Sequence, residues 1–407
     1  MNLNLKLKMC ATLAFVAVLA NVSWATSYKK LYNFAGGSDG TNPATPLTFD
    51  SSGNAYGTTA AGGDFDLGTV FMLTPSGQEI VLYSFTGGGD GQDPHGGVIL
   101  DSAGNLYGTT AAGGFGGFCA GDGCGVVFEL TPAGGTWAET TLYSFRGLND
   151  GFGPGSSLVF DKAGNLYGTT PDAGAHSNGT IFELSPTAHG WSYKTIHAFT
   201  GNKDGAVGSL GSLILDAAGN LYGVTELGGT FGAGAIYKLS PTPTGGWKTT
   251  VLYDFKGTPD AANSYGGLAF DAAGNLYGTT YFGGANGMGA VFQLIPGPNS
   301  SWQENVLYSF QGGTDGSFPT ATLVFDATGA LYGTTSTGGR PSCDCGTVFK
   351  LVLQRGSWNE KIVHFFGKGR DGSSPSYGLT PGTDGNLYGT TPVGGTEGQG
   401  TVFRLTP

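Results

Sequence analysis

Charge is scarce in this chain. Asp, Glu, Lys and Arg make up 12% of its 407 residues, about half the usual share. Positive charge is scarcer still: 18 Lys and Arg stand against 29 Asp and Glu, for a net charge of −11. Such a surface repels phosphate backbones and anionic lipid heads, so neither nucleic acid nor a membrane surface is an expected partner. Nucleophile elbows, metal-binding helical motifs and phosphate loops are lacking. The many Gly-x-Gly matches are not followed by a helical pattern.

What is abundant is glycine, 77 residues with 19 Pro, which excludes a mainly helical fold. The glycines do not fall every third residue, so a collagen helix is excluded too. Aromatic residues at 12% and hydrophobic residues at 39% supply enough apolar surface for a core, against disorder.

Long apolar runs are confined to the first 25 residues. There Lys6 and Lys8 precede an apolar stretch at 10–20 that ends in Ser23-Trp24-Ala25, the pattern of a secretory signal peptide cleaved after Ala25. The apolar stretch is well short of the ~20 residues that span a bilayer. The chain stops at Thr406-Pro407 without a hydrophobic tail. The expectation is a secreted (extracellular or periplasmic), monomeric protein over 26–407, with no membrane anchor in the mature chain. Four of the five cysteines lie beyond the leader, at Cys119, Cys124, Cys343 and Cys345, an even number that suits disulfides in an exported protein.

The string Gly-Asn-Leu-Tyr-Gly-Thr-Thr recurs with variations, placing tyrosines at 56, 107, 167, 222, 277, 332 and 388, at intervals of 51, 60, 55, 55, 55 and 56. Seven copies fill the chain after the leader and leave no room for a separate catalytic domain. Each copy carries four runs with strand character, at 157–161, 165–170, 180–184 and 191–199 in the third, which is the content of a propeller blade. An Asp-x-x-Gly-Asn joint links the first two runs as a tight antiparallel hairpin. Residues 29–34 match a fourth strand and 401–405 a third, so pairing them closes a ring and removes both exposed edges. The predicted fold is all-β: a seven-bladed β-propeller of four antiparallel strands per blade, the outer strand of the last supplied from the N-terminal side. A linear β-solenoid is the alternative.

The repeat resembles the GloVer tandem repeat of exported bacterial proteins. The matching residues are Leu307-Tyr308-Ser309-Phe310, Asp315-Gly316 with Pro319, the Tyr motif, Gly338-Gly339 and Gly346-Thr347-Val348-Phe349. The resemblance covers the chain beyond the leader. It implies an exported repeat protein without a transferable activity, in a family whose members carry varied C-terminal anchors that this chain lacks.

Residues present in every copy serve the scaffold, so sites are sought where the repeat deviates. The five Trp residues at 137, 191, 247, 302 and 358 fit packing between blades. Asp39, Asp90, Asp150, Asp204, Asp260, Asp315 and Asp371 read as Asx turns; a ring of Ca²⁺-attracting carboxylates is the sharper reading, and no other cofactor or metal is expected. Two copies lengthen the loop after the Tyr motif, and these loops hold the four cysteines. Blades two and six are too far apart for a bridge between their loops, so Cys119–Cys124 and Cys343–Cys345 are the expected pairs.

Four residues after each motif Tyr the pattern is small or Pro, broken by Glu226 and Tyr281; five after each loop Asp it is broken by His95 and Tyr265. Asp172, His176, Phe282 and Arg340 lie nearby in sequence. Aromatics beside carboxylates and a guanidinium suit a sugar, whose apolar faces stack while its hydroxyls accept and donate hydrogen bonds. These eight residues are the ligand-binding candidates, with an extracellular glycan or protein as the partner, and the expected function is non-catalytic ligand binding at the channel mouth. Two alternatives stand: a polysaccharide hydrolase or lyase using Glu226 with Asp172 or a histidine, and a purely structural surface or matrix protein.

Overall fold

The computed structural model describes residues 27–43, 45–119, 121–208, 211–367 and 370–407; the expected signal peptide lies outside them. Seven antiparallel sheets follow one another around a central channel. In the third blade the strands are Val159–Phe160, Leu166–Thr170, Thr180–Thr187 and Gly190–Ala198, paired in that order from the channel outwards. The innermost strands are shorter than the sequence pattern suggests and the outer hairpins longer. Blade four carries an added strand, Ala206–Gly208, against its second strand.

The ring closes where Ser27–Asn33 pairs antiparallel with Thr401–Thr406. This seam reproduces the other blades even in its irregularity. Its register slips between Lys30 and Tyr32, and the third and fourth strands of blades one to six slip at the matching place, as at Ile181/Phe182. A bulge at that point strengthens the twist of each outer strand.

The core is divided into seven wedges, each built from side chains of two neighbouring blades. An aromatic pair forms the centre of each wedge. Phe34 meets Phe71, Phe85 meets Phe128, and so on round the ring to Phe366 and Phe403, with centroids 5.1–5.3 Å apart and rings steeply inclined, the edge-to-face geometry that ring quadrupoles favour. Trp191 packs against Tyr107 and Trp247 against Tyr167 of the preceding blade, as expected of inter-blade packing.

Two kinds of glycine make this possible. The hairpin glycines such as Gly274 hold φ near +84°, where a side chain is penalised. The glycine inside each Tyr-Gly-Thr is needed for space: a Cβ on Gly278 would stand 2.5 Å from Cζ of Phe292, so the aromatic ring lies flat over the strand.

Candidate functional site

The loop face is built from two sets of connections. The Asp-Gly loops lead from one blade to the next, and the loops after the Tyr motif join second and third strands. They run side by side in every blade, bridged at Thr41–Ala61, Gln92–Ala112, Phe152–Asp172, Ser317–Thr337 and Ser373–Val393, and by short pairings at Ala206–Leu227 and Ala261–Gly283.

Each loop Asp is engaged inside its own turn. In all seven copies the carboxylate accepts the backbone N–H four residues earlier, as Asp90 does from Thr86. In five blades it also accepts a hydrogen bond from the outer-strand tyrosine at 2.5–3.0 Å. His197 and His364 take the tyrosine's place beside Asp204 and Asp371, at 3.2 and 3.0 Å. This is the chemistry of an Asx turn. Among the described residues, no group of three or more His, Cys, Asp or Glu side chains gathers as metal ligands would.

Three residues after six of the seven loop Asp residues, all but Asp204, the chain turns through the left-handed region, with φ of 55–66° at Asn42, Asp93, Gly153, Asn263, Phe318 and Ser374. It then enters the innermost strand. The residues just before those strands enclose a cavity of about 160 Å³ at the loop-face end of the channel, lined by His95, Gly155, Tyr265, Thr320, Ser376 and Tyr377 among others. That volume is close to the ~150 Å³ which holds one benzene ring.

Glu226, Tyr265, Tyr281 and Phe282 meet beside this cavity. The Tyr265 hydroxyl donates to Glu226 Oε1 at 2.6 Å. Burial first, and then this carboxylate, raises the Tyr265 phenol above its ordinary range, so it remains a hydrogen-bond donor. The Tyr265 ring stands 5.2 Å from Tyr281, which stacks on Phe318 at 4.7 Å, and Phe282 packs edge-on to both Tyr281 and Phe318. On another part of the cavity wall His95 Nε2 lies 2.9 Å from Asp93 Oδ1. Tyr377, also on the wall, is held protonated by burial and by the charge of Asp93.

The other candidates stand apart. Asp172 and His176 are exposed in the third blade's loop, and Arg340 lies in the sixth blade's lengthened loop with its Nε enclosed and unpartnered among the described residues. None of the three is among the described residues lining the cavity. The cysteines pair locally, Cys119 with Cys124 and Cys343 with Cys345.

Phe318 joins the aromatic cluster of Tyr281 and Phe282 although it belongs to none of the candidate positions above. It occupies the left-handed position where Asn, Asp, Gly or Ser stand in five other blades, and a bulky side chain there is a backbone outlier. The signal was present in the sequence, two residues before the register that singles out Tyr265.

A second set of acids lies away from the face. Glu79 shares a shallow groove with Asp39, and burial, then Asp39, pushes its carboxyl up to about 8. Glu304 reaches about 8 through burial and then Asp260; Glu139 and Glu360 reach about 7, chiefly through burial. These pairs recur at four blade seams.

Residues 18–120, 119–258 and 209–407 match the family pattern described as the Gloeobacter/Verrucomicrobia repeat. No curated protein matches the chain. Among solved structures, a candidate 6-phosphogluconolactonase from Bacteroides uniformis is similar with a TM-score of 0.50 at 13% identity, covering 83% of this chain and 88% of its own. A gluconolactonase from Xanthomonas campestris is similar at a TM-score of 0.43 and 15% identity, covering 93% and 89%. At such identities the likeness is one of fold. Three successive matches that together span the repeats, laid over seven blades, show that the chain belongs to the Gloeobacter/Verrucomicrobia repeat family.

Proposed function

We propose that this protein is a secreted, non-catalytic binding protein that takes a carbohydrate at the channel mouth beside blades four to six. The observation that carries this is the juxtaposition of the Tyr265–Glu226 hydrogen bond with the Tyr281–Phe318 stack and Phe282, next to a cavity the size of one ring. Aromatic faces accept the C–H face of a pyranose, while Glu226 and the Tyr265 hydroxyl serve its hydroxyl groups. Two disulfides suit an oxidising compartment, and among the described residues no helix is long and apolar enough to cross a membrane.

Isothermal titration against a panel of neutral oligosaccharides tests this reading. Binding is expected in the native protein, weakened about tenfold or more by Tyr281→Ala and by Glu226→Gln. A panel that gives no heat above background refutes it.

The hydrolase reading draws on one observation, the Asp93–His95 pair on the cavity wall, where His95 would take a proton from water. Release of reducing ends from polysaccharides, lost in His95→Gln, would support it. Turnover in His95→Gln equal to that of the native protein would remove it.

A further inference from the structure

The exposed apolar side chains of this protein are distributed unevenly. Among the described residues, every exposed large hydrophobic except Ile80 and Leu353 lies in a loop of the face that carries the channel mouth. The two most exposed are Phe115 and Phe118, at 76% and 78%, both in the lengthened loop of blade two. That loop is held in place. Phe115 lies over Gly89 so closely that a side chain there would overlap it, the Phe118 N–H donates to the Arg146 carbonyl at 2.9 Å, and the Cys119–Cys124 disulfide follows directly. A pinned loop that holds two phenyl rings in water does nothing for the core, and apolar groups grouped in this way mark a binding surface.

Blade two stands three blades from blade five, the greatest separation a ring of seven allows. Between the two lie the cavity and both of its polar pairs, Tyr265–Glu226 on one wall and His95–Asp93 on another. We infer that the loop face carries a binding track for a linear, neutral polysaccharide, running from the Tyr281–Phe282–Phe318 platform across the channel mouth to Phe115 and Phe118.

The chemistry of the occupant follows from the residues. Phenylalanine has no polar tip, so Phe115, Phe118 and Phe282 engage only a flat apolar face. A pyranose offers such a face when its hydroxyls are equatorial and its axial positions carry hydrogen, as in a β-linked glucan. A net charge of −11 with Glu226 and Asp93 on the path disfavours uronate and sulfated chains and anionic lipid alike. A second copy of this chain is a poorer occupant, because the channel mouth, lined largely by glycine and small polar residues, divides the apolar groups.

This inference rests on the carbohydrate reading above, and the experiment separates the two. Cellobiose and cellohexaose are titrated into the native protein, the Phe115→Ala/Phe118→Ala double variant and Tyr281→Ala, with a polygalacturonate oligomer as the anionic control. Both phenylalanines are exposed, so circular dichroism should confirm that the double variant keeps its fold. Cellohexaose is expected to bind about tenfold or more tighter than cellobiose, and the double variant is expected to bring that ratio close to one. If cellobiose binds and is weakened by Tyr281→Ala, but cellohexaose gains nothing or the double variant preserves the gain, the track is wrong and the site reading stands. If neither sugar binds, the track is wrong, and the neutral-oligosaccharide panel decides separately whether the site reading stands. Tighter binding of polygalacturonate overturns the assigned chemistry, and a native dimer that the double variant dissolves assigns the rings to a second copy.

Discussion

Phe34→Ala tests whether the seam between Ser27–Asn33 and Thr401–Thr406 holds the ring. Phe34 is fully buried, its ring 5.2 Å from both Phe71 and Tyr32, and its N–H donates to the Gly400 carbonyl at 3.1 Å. Removing a buried phenyl ring costs ~3–5 kcal/mol, the transfer of the ring plus the cavity left behind, a large part of the 5–15 kcal/mol typical of a domain. Phe310 is the control: it is equally buried and packs on Phe349 at 5.1 Å. In blade five a tight hairpin joins the outer strand to its neighbour, whereas at the seam no hairpin joins the pair. Denaturant titration should therefore show similar losses for the two alanine variants. Hydrogen exchange should separate them, with the amides of Thr401–Thr406 exchanging ahead of global unfolding only in Phe34→Ala, because a loosened strand exposes a sheet edge. A loss below about 1 kcal/mol, or seam amides as protected as in the native protein, would refute the claim that this strand closes the ring.

Gly278→Ala should lower stability by ~1–3 kcal/mol, since the new Cβ would meet Phe292 at 2.5 Å and Leu268 at 3.2 Å; an unchanged melting temperature would remove the steric account. In blade six Ala330 replaces the Asn that elsewhere donates to the hairpin Asp, and Lys350 Nζ reaches Asp326 at 3.0 Å instead. Lys350→Met should cost ~1–2 kcal/mol, and adding Ala330→Asn should recover part of it; no recovery would mean that Lys350 acts by packing alone. Stability should also peak on the acid side of neutrality. Glu79, Glu139, Glu304 and Glu360 titrate between about 7 and 8 in the folded protein, above the ~4.3 of an unfolded chain, so what they contribute is complete below that value and is lost as pH rises through 7–8. The hairpin aspartates, held low largely by hydrogen bonds from Asn side chains and backbone N–H groups against the opposing effect of burial, act in the opposite sense and lose their contribution below about pH 4. Midpoints that stay flat from pH 5 to 8.5, or that Glu→Gln changes at the four seams leave equally steep, would contradict these assignments.

The blades and their closure were readable because seven copies average out local ambiguity: a Gly that recurs at the same hairpin joint in all seven, five times within a full Asp-x-x-Gly-Asn, cannot be a composition effect. The site was readable only in part. Glu226 and Tyr281 deviate at one register of the repeat and His95 and Tyr265 at another, but neither register says which blades bring their side chains together. Asp172, His176 and Arg340, chosen only for lying nearby in sequence, sit in the loops of blades three and six, apart from the residues that line the cavity. Phe318 departs from the Asn, Asp, Gly and Ser of five other blades, but only the shared left-handed backbone angle shows that its register matters. The Glu–Asp pairs at the seams join residues about a blade apart, so no local motif contains them.

The seam has a consequence for the number of blades. Because each copy of the repeat begins partway through one blade and ends partway through the next, the unit copied in the sequence and the unit folded in space are out of phase by one strand. Inserting or removing a whole copy therefore leaves the joining pair unchanged, with the same first strand meeting the same last one. Copy number can drift during duplication without creating an unmatched edge, and the limit on ring size falls to the angle of the aromatic wedges between blades.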